Sequence, residues 1–293
     1  MIQIVRNSAV AVAFSALTAF SAHAQIETPQ PSPLSTVTQR VGLTDISVTY
    51  SRPSLKGRKV FGKIVKYDQP WRTGANNATT ITFKDAVTFE GAKVPAGEYA
   101  LYTIPGESAW TIVLNSNTKL GGSMKEYNQE QDVARVKVKP IRVGEMQTET
   151  FTIAFMDLTP NSANLALMWE NVLVKAKIGV EYDQKVMTSI EKTMQGGKVE
   201  PYTYFTAARY YYDNNKDMKK ALEWVNKATE KDPTFWMLHT KALIQAANND
   251  HKGAIATANQ SIELARKADN QDYVQMNQEK IAEWTPKTGK GKK

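Results

Sequence analysis

Residues 52–80 read RPSLKGRKVFGKIVKYDQPWRTGANNATT. Three of the side chains, Arg52, Arg58 and Arg72, carry planar guanidinium forks, the geometry that meets a carboxylate or phosphate with two parallel hydrogen bonds. Trp71 lies beside Arg72, and Asn76 and Asn77 add amide donors and acceptors. Two roles fit this set. In one, the arginines and Trp71 hold an anionic ligand, with the indole stacked on a sugar. In the other, Trp71 fills the core, the arginines satisfy nearby carbonyls and carboxylates, and the lysines keep a surface solvated. The candidate ligand-binding set is therefore Arg52, Arg58, Trp71, Arg72 and Asn76.

The rest of the chain narrows the chemistry. No cysteine is present, so thiol catalysis and disulfides are excluded. The three histidines are His23, His239 and His251. None falls in the N-terminal half of the mature chain, which leaves no histidine there for a metal site or a catalytic triad. Asp213, Asn214, Asn215 and Asp217 resemble a calcium loop, but the glycine at the sharp turn and the distal glutamate are missing. No metal and no cofactor is expected. Asp45, Asp68, Glu90, Glu98, Glu107 and Asp157 could supply a carboxylate pair for glycoside hydrolysis, although spacing alone pairs none of them. Phosphate-binding loops, dinucleotide fingerprints and the nucleophile elbow are all absent.

Charge is local. The chain carries a formal +8 over 293 residues, yet residues 52–72 alone hold seven Lys or Arg against Asp68. The tail from Pro286 adds four lysines. This is a patch and a tail, not a uniformly basic protein, and nucleic acid is not the expected partner.

The N-terminus has the parts of an export signal: Arg6, the apolar run SAVAVAFSALTAFS, and the small-x-small site Ala22-His23-Ala24. Residues 1–24 are expected to be removed, leaving Gln25 first, in a periplasmic or secreted protein. The apolar run is too short to span a bilayer, and no later segment is apolar enough to do so.

From residue 34 to about 182, short runs such as DISVTYS, ATTITF, EYALYTI, WTIVLN and VLVKAKIGV alternate with turn residues. This period of two, without helical segments between, predicts an antiparallel β-sandwich, preceded by a flexible stretch at 25–33. In EYALYTI both faces are apolar, which suits a strand inside a two-layer core. After Tyr182 the period becomes helical. DQKVMTSIEKTM ends at Gly196-Gly197, a C-cap and hinge, and Pro201 opens a longer helical region. Ala221 and Ala254 are 33 apart, Ala228 and Ser261 are 33 apart, and Ala208 and Ala242 are 34 apart. Such spacing of small residues predicts tetratricopeptide-like helix pairs over 183–285, capped by a helix from Tyr273 to Trp284 and followed by a basic disordered tail at 286–293. Helical arrays of this kind present a groove, so a protein partner is expected there.

SRPSLKGRKVFG, PWRTGANNATTITF, VPAGEYALYTIPG with WTIVLN, and DVARVKVKP occur in that order. Together they resemble the domain-of-unknown-function 2911 family over roughly residues 34–180. The resemblance implies export by a bacterium, a β-domain, and helical repeats after it in some members. It brings no activity or substrate, but it places Arg52, Gly57, Arg58, Trp71, Arg72, Gly74 and Asn76 in the family's hallmark region. Two functions follow as expectations. The first is a non-catalytic binding or scaffold protein that contacts an anionic glycan, lipid head group or phosphate through the β-domain. The second is a carboxylate-dependent hydrolase of glycans or esters. A cleft with two facing acids would favour the hydrolase; a cleft lined by Arg and Trp would favour binding.

Overall fold

The computed structural model describes residues 28–121, 123–144 and 147–288. The expected signal peptide, the first mature residues and the last residues of the basic tail lie outside the described residues. The chain divides after Glu181 into a β-unit and a helical unit.

The β-unit holds two antiparallel sheets. The strands are β1 (Leu34–Val41), β2 (Thr44–Ser51), β3 (Ala75–Phe83), β4 (Val87–Phe89), β5 (Ala92–Val94), β6 (Gly97–Ile104), β7 (Trp110–Asn115), β8 (Asp132–Val138), β9 (Ile141–Arg142), β10 (Thr148–Thr159), β11 (Ser162–Glu170) and β12 (Val172–Val180). The first sheet runs β1-β2-β3-β6-β7-β8; the second runs β10-β11-β12-β4-β5, with β9 also paired to β12. The alternation in the sequence is the cause. In β2, Ile46, Val48 and Tyr50 are buried while Ser47 and Thr49 on the other face are not. In β12, Val172, Val174, Ala176 and Ile178 point inward, and Lys175 reaches Asp157 on the outer side. This is the expected sandwich, built from inward-facing residues of two sheets.

β6 departs from simple alternation for a reason the strand itself does not carry. Leu101 and Thr103 face the space between the sheets. Ala100 and Tyr102, on the opposite face, pack with Val113 under Leu120, Met124 and Tyr127 from the connection between β7 and β8. The second apolar face is covered by a loop, not by a second sheet.

The helical unit contains α1 (Asp183–Met194), α2 (Pro201–Asp213), α3 (Met218–Ala228), α4 (Phe235–Ala247), α5 (His251–Lys267) and α6 (Gln271–Trp284). Helix starts follow capping chemistry. Pro201 occupies the first turn of α2, and the side chains of Asp217, Asp250 and Asn270 accept backbone N–H groups at the starts of α3, α5 and α6. The polar run at 213–217 is thus the α2–α3 turn and a helix cap. Ala208, Ala221, Ala228, Ala242, Ala254 and Ser261 are all buried, as their spacing predicts. Met187, Ile190 and Met194 of α1 pack on the cluster of Ala207, Ala208, Tyr211, Ala221 and Trp224, so Gly196-Gly197 lies within the helical unit. His239 is buried, and its Nδ1 meets Asn277 Oδ1 at 2.9 Å; burial lowers its pKa, which keeps the ring neutral. Among the described residues no helix is long and apolar enough to cross a membrane.

The close packing around Ala221 gives a direct check. Ala221 is fully buried where α3 meets α2, so Ala221→Leu should destabilise the chain by about 1–3 kcal/mol through overpacking. An unchanged denaturation midpoint would show that the helices are not packed through this position.

Candidate functional site

The basic stretch becomes the long connection from β2 to β3, and it ties the two sheets together at one end of the sandwich. Its first part is held by the second sheet. Leu55 N–H donates to Glu149 O at 2.8 Å, Phe151 N–H donates to Pro53 O at 2.8 Å, and Ser54 meets the Thr150 hydroxyl at 2.9 Å. Its last part returns to the first sheet, where Trp71 and Thr103 exchange backbone hydrogen bonds at 2.7 and 2.9 Å. The connection needs unusual backbone to do this. Thr73, a β-branched residue, sits at φ +57, buried, with its hydroxyl bonded to Trp71 O and Thr103 Oγ1. Gly74 follows at φ +156, where a Cβ would lie 2.9 Å from Ser51 O. Only glycine fits that approach.

Beneath the connection lies an aromatic floor. Trp71 stacks on Trp169 with centroids 5.8 Å apart and an interplanar angle of 17°. Phe151 meets both indoles, and Phe61 sits edge-on to Trp71, Trp110 and Trp169. The Trp71 Nε1–H donates to Gly74 O at 3.1 Å. Trp71 is therefore a support, with its face and its polar edge both used inside the protein.

Above the floor an open cleft of about 910 Å³ is edged by Arg58, Lys59, Arg142, Glu149, Glu170 and Asn171. The two acids hold the connection in place. Glu170 accepts the Val60 N–H at 2.6 Å on one oxygen and the Phe61 N–H at 3.4 Å on the other, and Glu149 accepts the Lys56 N–H at 2.9 Å. The cations are less committed. Arg58 donates from Nε to Leu55 O and from one terminal nitrogen to Ser54 O, both at 2.9 Å, leaving its other N–H groups toward the cleft. Arg142 donates to Asn171 Oδ1 at 3.4 Å, and Lys59 makes no ion pair among the described residues.

The five residues singled out from sequence do not gather at one point. Arg58 lines the cleft. Arg52 clamps β10, donating from Nε to Phe151 O at 3.1 Å and from Nη2 to Thr152 Oγ1 at 2.7 Å. Trp71 is in the floor. Arg72 is half-buried, and burial pulls its guanidinium pKa down. Asn76 donates to Ser32 O and Ser51 Oγ, joining the N-terminal segment to β2. Conversely, sequence reasoning passed over Arg142, Glu149, Glu170 and Asn171. Glu170-Asn171 reads as a hairpin turn, and it is one, with Glu170 at φ +52; nothing in the sequence shows that its carboxylate reaches back 110 residues to Val60.

A family model described as "Protein of unknown function (DUF2911)" matches residues 32–178, half of the chain and nearly the whole β-unit. The chain belongs to the DUF2911 family. The DUF2911 match ends at the last strand, so the helices lie outside it. Searches of curated proteins and of solved structures find no match. The DUF2911 domain therefore comes with a fold and a cleft, and its function has to be argued from that cleft. Among the described residues no group of three or more His, Cys, Asp or Glu could hold a metal ion.

Proposed function

We propose that this protein is a non-catalytic binding protein of the bacterial envelope, whose β-unit takes an anionic ligand in the cleft edged by Arg58, Lys59 and Arg142. One observation carries the reading: the cleft's cations line open space, whereas both oxygens of Glu170 and one of Glu149 accept backbone N–H groups of the connection. An anionic glycan, a lipid head group or a phosphate has the chemistry to meet such cations. The export signal supports the compartment, and the helix pairs offer a surface for a protein partner. The hydrolase reading stands second. Two acids do line the cleft, but both oxygens of Glu170 are bonded to the loop, so that carboxylate acts as a clamp on the fold.

The test is calorimetric. The mature chain should bind galacturonate or inorganic phosphate in a salt-dependent way, because exposed charges are screened over about 8–10 Å at physiological ionic strength. Arg142→Gln, at an exposed side chain, should weaken binding at least about tenfold, and Arg58→Gln with Arg142→Gln should abolish it. The denaturation midpoint of Arg142→Gln should not move. Binding that survives the double substitution would refute the assignment of the cleft.

A further inference from the structure

The cleft does not end at its own rim. Tyr67 forms part of its wall and also part of the wall of a second open cavity, of about 470 Å³. Asp68, Glu107, Ser108 and Lys137 edge this second cavity. The ring is backed rather than loose: Gly62 sits at φ +84, and a Cβ there would lie 2.9 Å from Tyr67 Cε2. Tyr67 is half-buried, so part of its ring stays open to ligand. Trp71 was the sequence's candidate for stacking on a sugar; Tyr67, four residues earlier, has the position for it.

We infer that the two cavities are one groove divided by Tyr67, and that the groove holds an acidic oligosaccharide laid across the ring. This rests on the anion-binding reading of the first cleft and names its ligand class. Size argues against a single phosphate, since a cleft of about 910 Å³ is at the upper end of small-molecule sites. The lining argues for sugar. Gln147 and Asn171 in the first cavity and Asp68, Glu107 and Ser108 in the second can pair with hydroxyl groups, while Arg58, Lys59 and Arg142 in the first cavity and the single cation Lys137 in the second can meet carboxylates. An acyl chain or an apolar peptide side chain would need an empty apolar pocket. The apolar residues at the first cavity, Leu55 and Phe61, are each only 2% exposed. Both cavities are open to solvent, which admits an extended ligand.

Titration of the mature protein with galacturonic acid, its linear hexamer and inorganic phosphate tests this. The hexamer should bind about thirtyfold more tightly than the monomer, beyond the roughly sixfold gain that six equivalent units give by counting. Lys137→Gln should remove most of that gain while leaving monomer affinity within about twofold; Tyr67→Ala should remove the gain and weaken the monomer as well, and Tyr67→Phe should retain both. Lys137 is exposed, so its variant reports even if Tyr67→Ala folds poorly. Equal affinity for monomer and hexamer, or a length gain untouched by Lys137→Gln and Tyr67→Ala, overturns the groove. Tighter binding of hexaglutamate, or of phosphatidylglycerol vesicles, overturns the saccharide assignment. Absence of any heat with galacturonate and phosphate alike would instead remove the underlying anion reading, an outcome distinct from anion binding without a length effect.

Discussion

Trp71→Ala should lower the free energy of unfolding by about 3–5 kcal/mol, the range for truncating a large aromatic in a packed core. Trp71 is 8% exposed, stacks on Trp169 and touches Phe61 and Phe151 edge-on. Its loss leaves a void among rings that cannot collapse onto one another without moving both sheets. It also strands Gly74 O, which now accepts the indole N–H. The effect should extend to the site. Phe61 packs on Trp71, and the Phe61 and Val60 N–H groups are what Glu170 holds. A urea titration gives the stability change, and titration with galacturonate under native conditions should show weakened binding as well. A loss below about 1 kcal/mol would show that the aromatic floor does not hold the connection. The contrast with Arg142 is the useful comparison: the exposed cation should change affinity and leave stability alone, whereas Trp71 should change both.

How much of this was legible in the sequence depends on how far apart the interacting residues lie. The strands were legible because alternation is a local property, and β2 and β12 bury every second residue as written. β5 was not, because Ala92–Val94 is three residues between turn residues, too short to show a period. The helix pairs were legible because the small residues recur at a fixed spacing, and each proves to be buried. The connection that edges the cleft was legible in place but not in detail. A long basic connection between two strands could be seen, yet the partners that fix Arg52 and the acids that edge the cleft lie elsewhere in the chain. Arg52 is fixed by Phe151 and Thr152, about 100 residues on, across the gap between the sheets. Arg58, by contrast, turns back onto Ser54 and Leu55 and remains at the cleft edge. Three arginines of the same type in one loop therefore have three different environments, and only that of Arg52 is set by β10.

Asp132→Ala should cost about 3 kcal/mol, through the loss of charge-assisted hydrogen bonds inside the fold. Asp132 opens β8 with a side chain only 4% exposed. One oxygen accepts from Asn115 Nδ2 at 2.8 Å; the other accepts from the Tyr127 hydroxyl at 2.8 Å and from Arg135 Nη1 at 2.6 Å. The expected cost lies at the low end for breaking a buried ion pair, because the Arg135 side chain is 32% exposed and its charge can turn to water. These bonds pin Tyr127, and with it the connection that covers Ala100, Tyr102 and Val113. The same cluster sets an alkaline limit. Burial first, then the Asp132 charge, pushes Tyr102 up to about 12. Burial, the hydrogen bond to Asp132 and its charge push Tyr127 up to about 12, against the opposing pull of Arg135. In the unfolded chain a tyrosine ionises near 10. Between those values the folded state binds more protons than the unfolded one, so the contribution to stability is complete below about pH 10 and falls away as pH rises toward 12. Tyrosinate absorbance should show both groups titrating late in the native protein. In Asp132→Ala that late step should move toward lower pH, with burial keeping part of the shift. A late step that stays in place, together with a stability loss under about 1 kcal/mol, would mean that Asp132 does not organise this cluster and that the connection over Tyr102 is held by its apolar contacts alone.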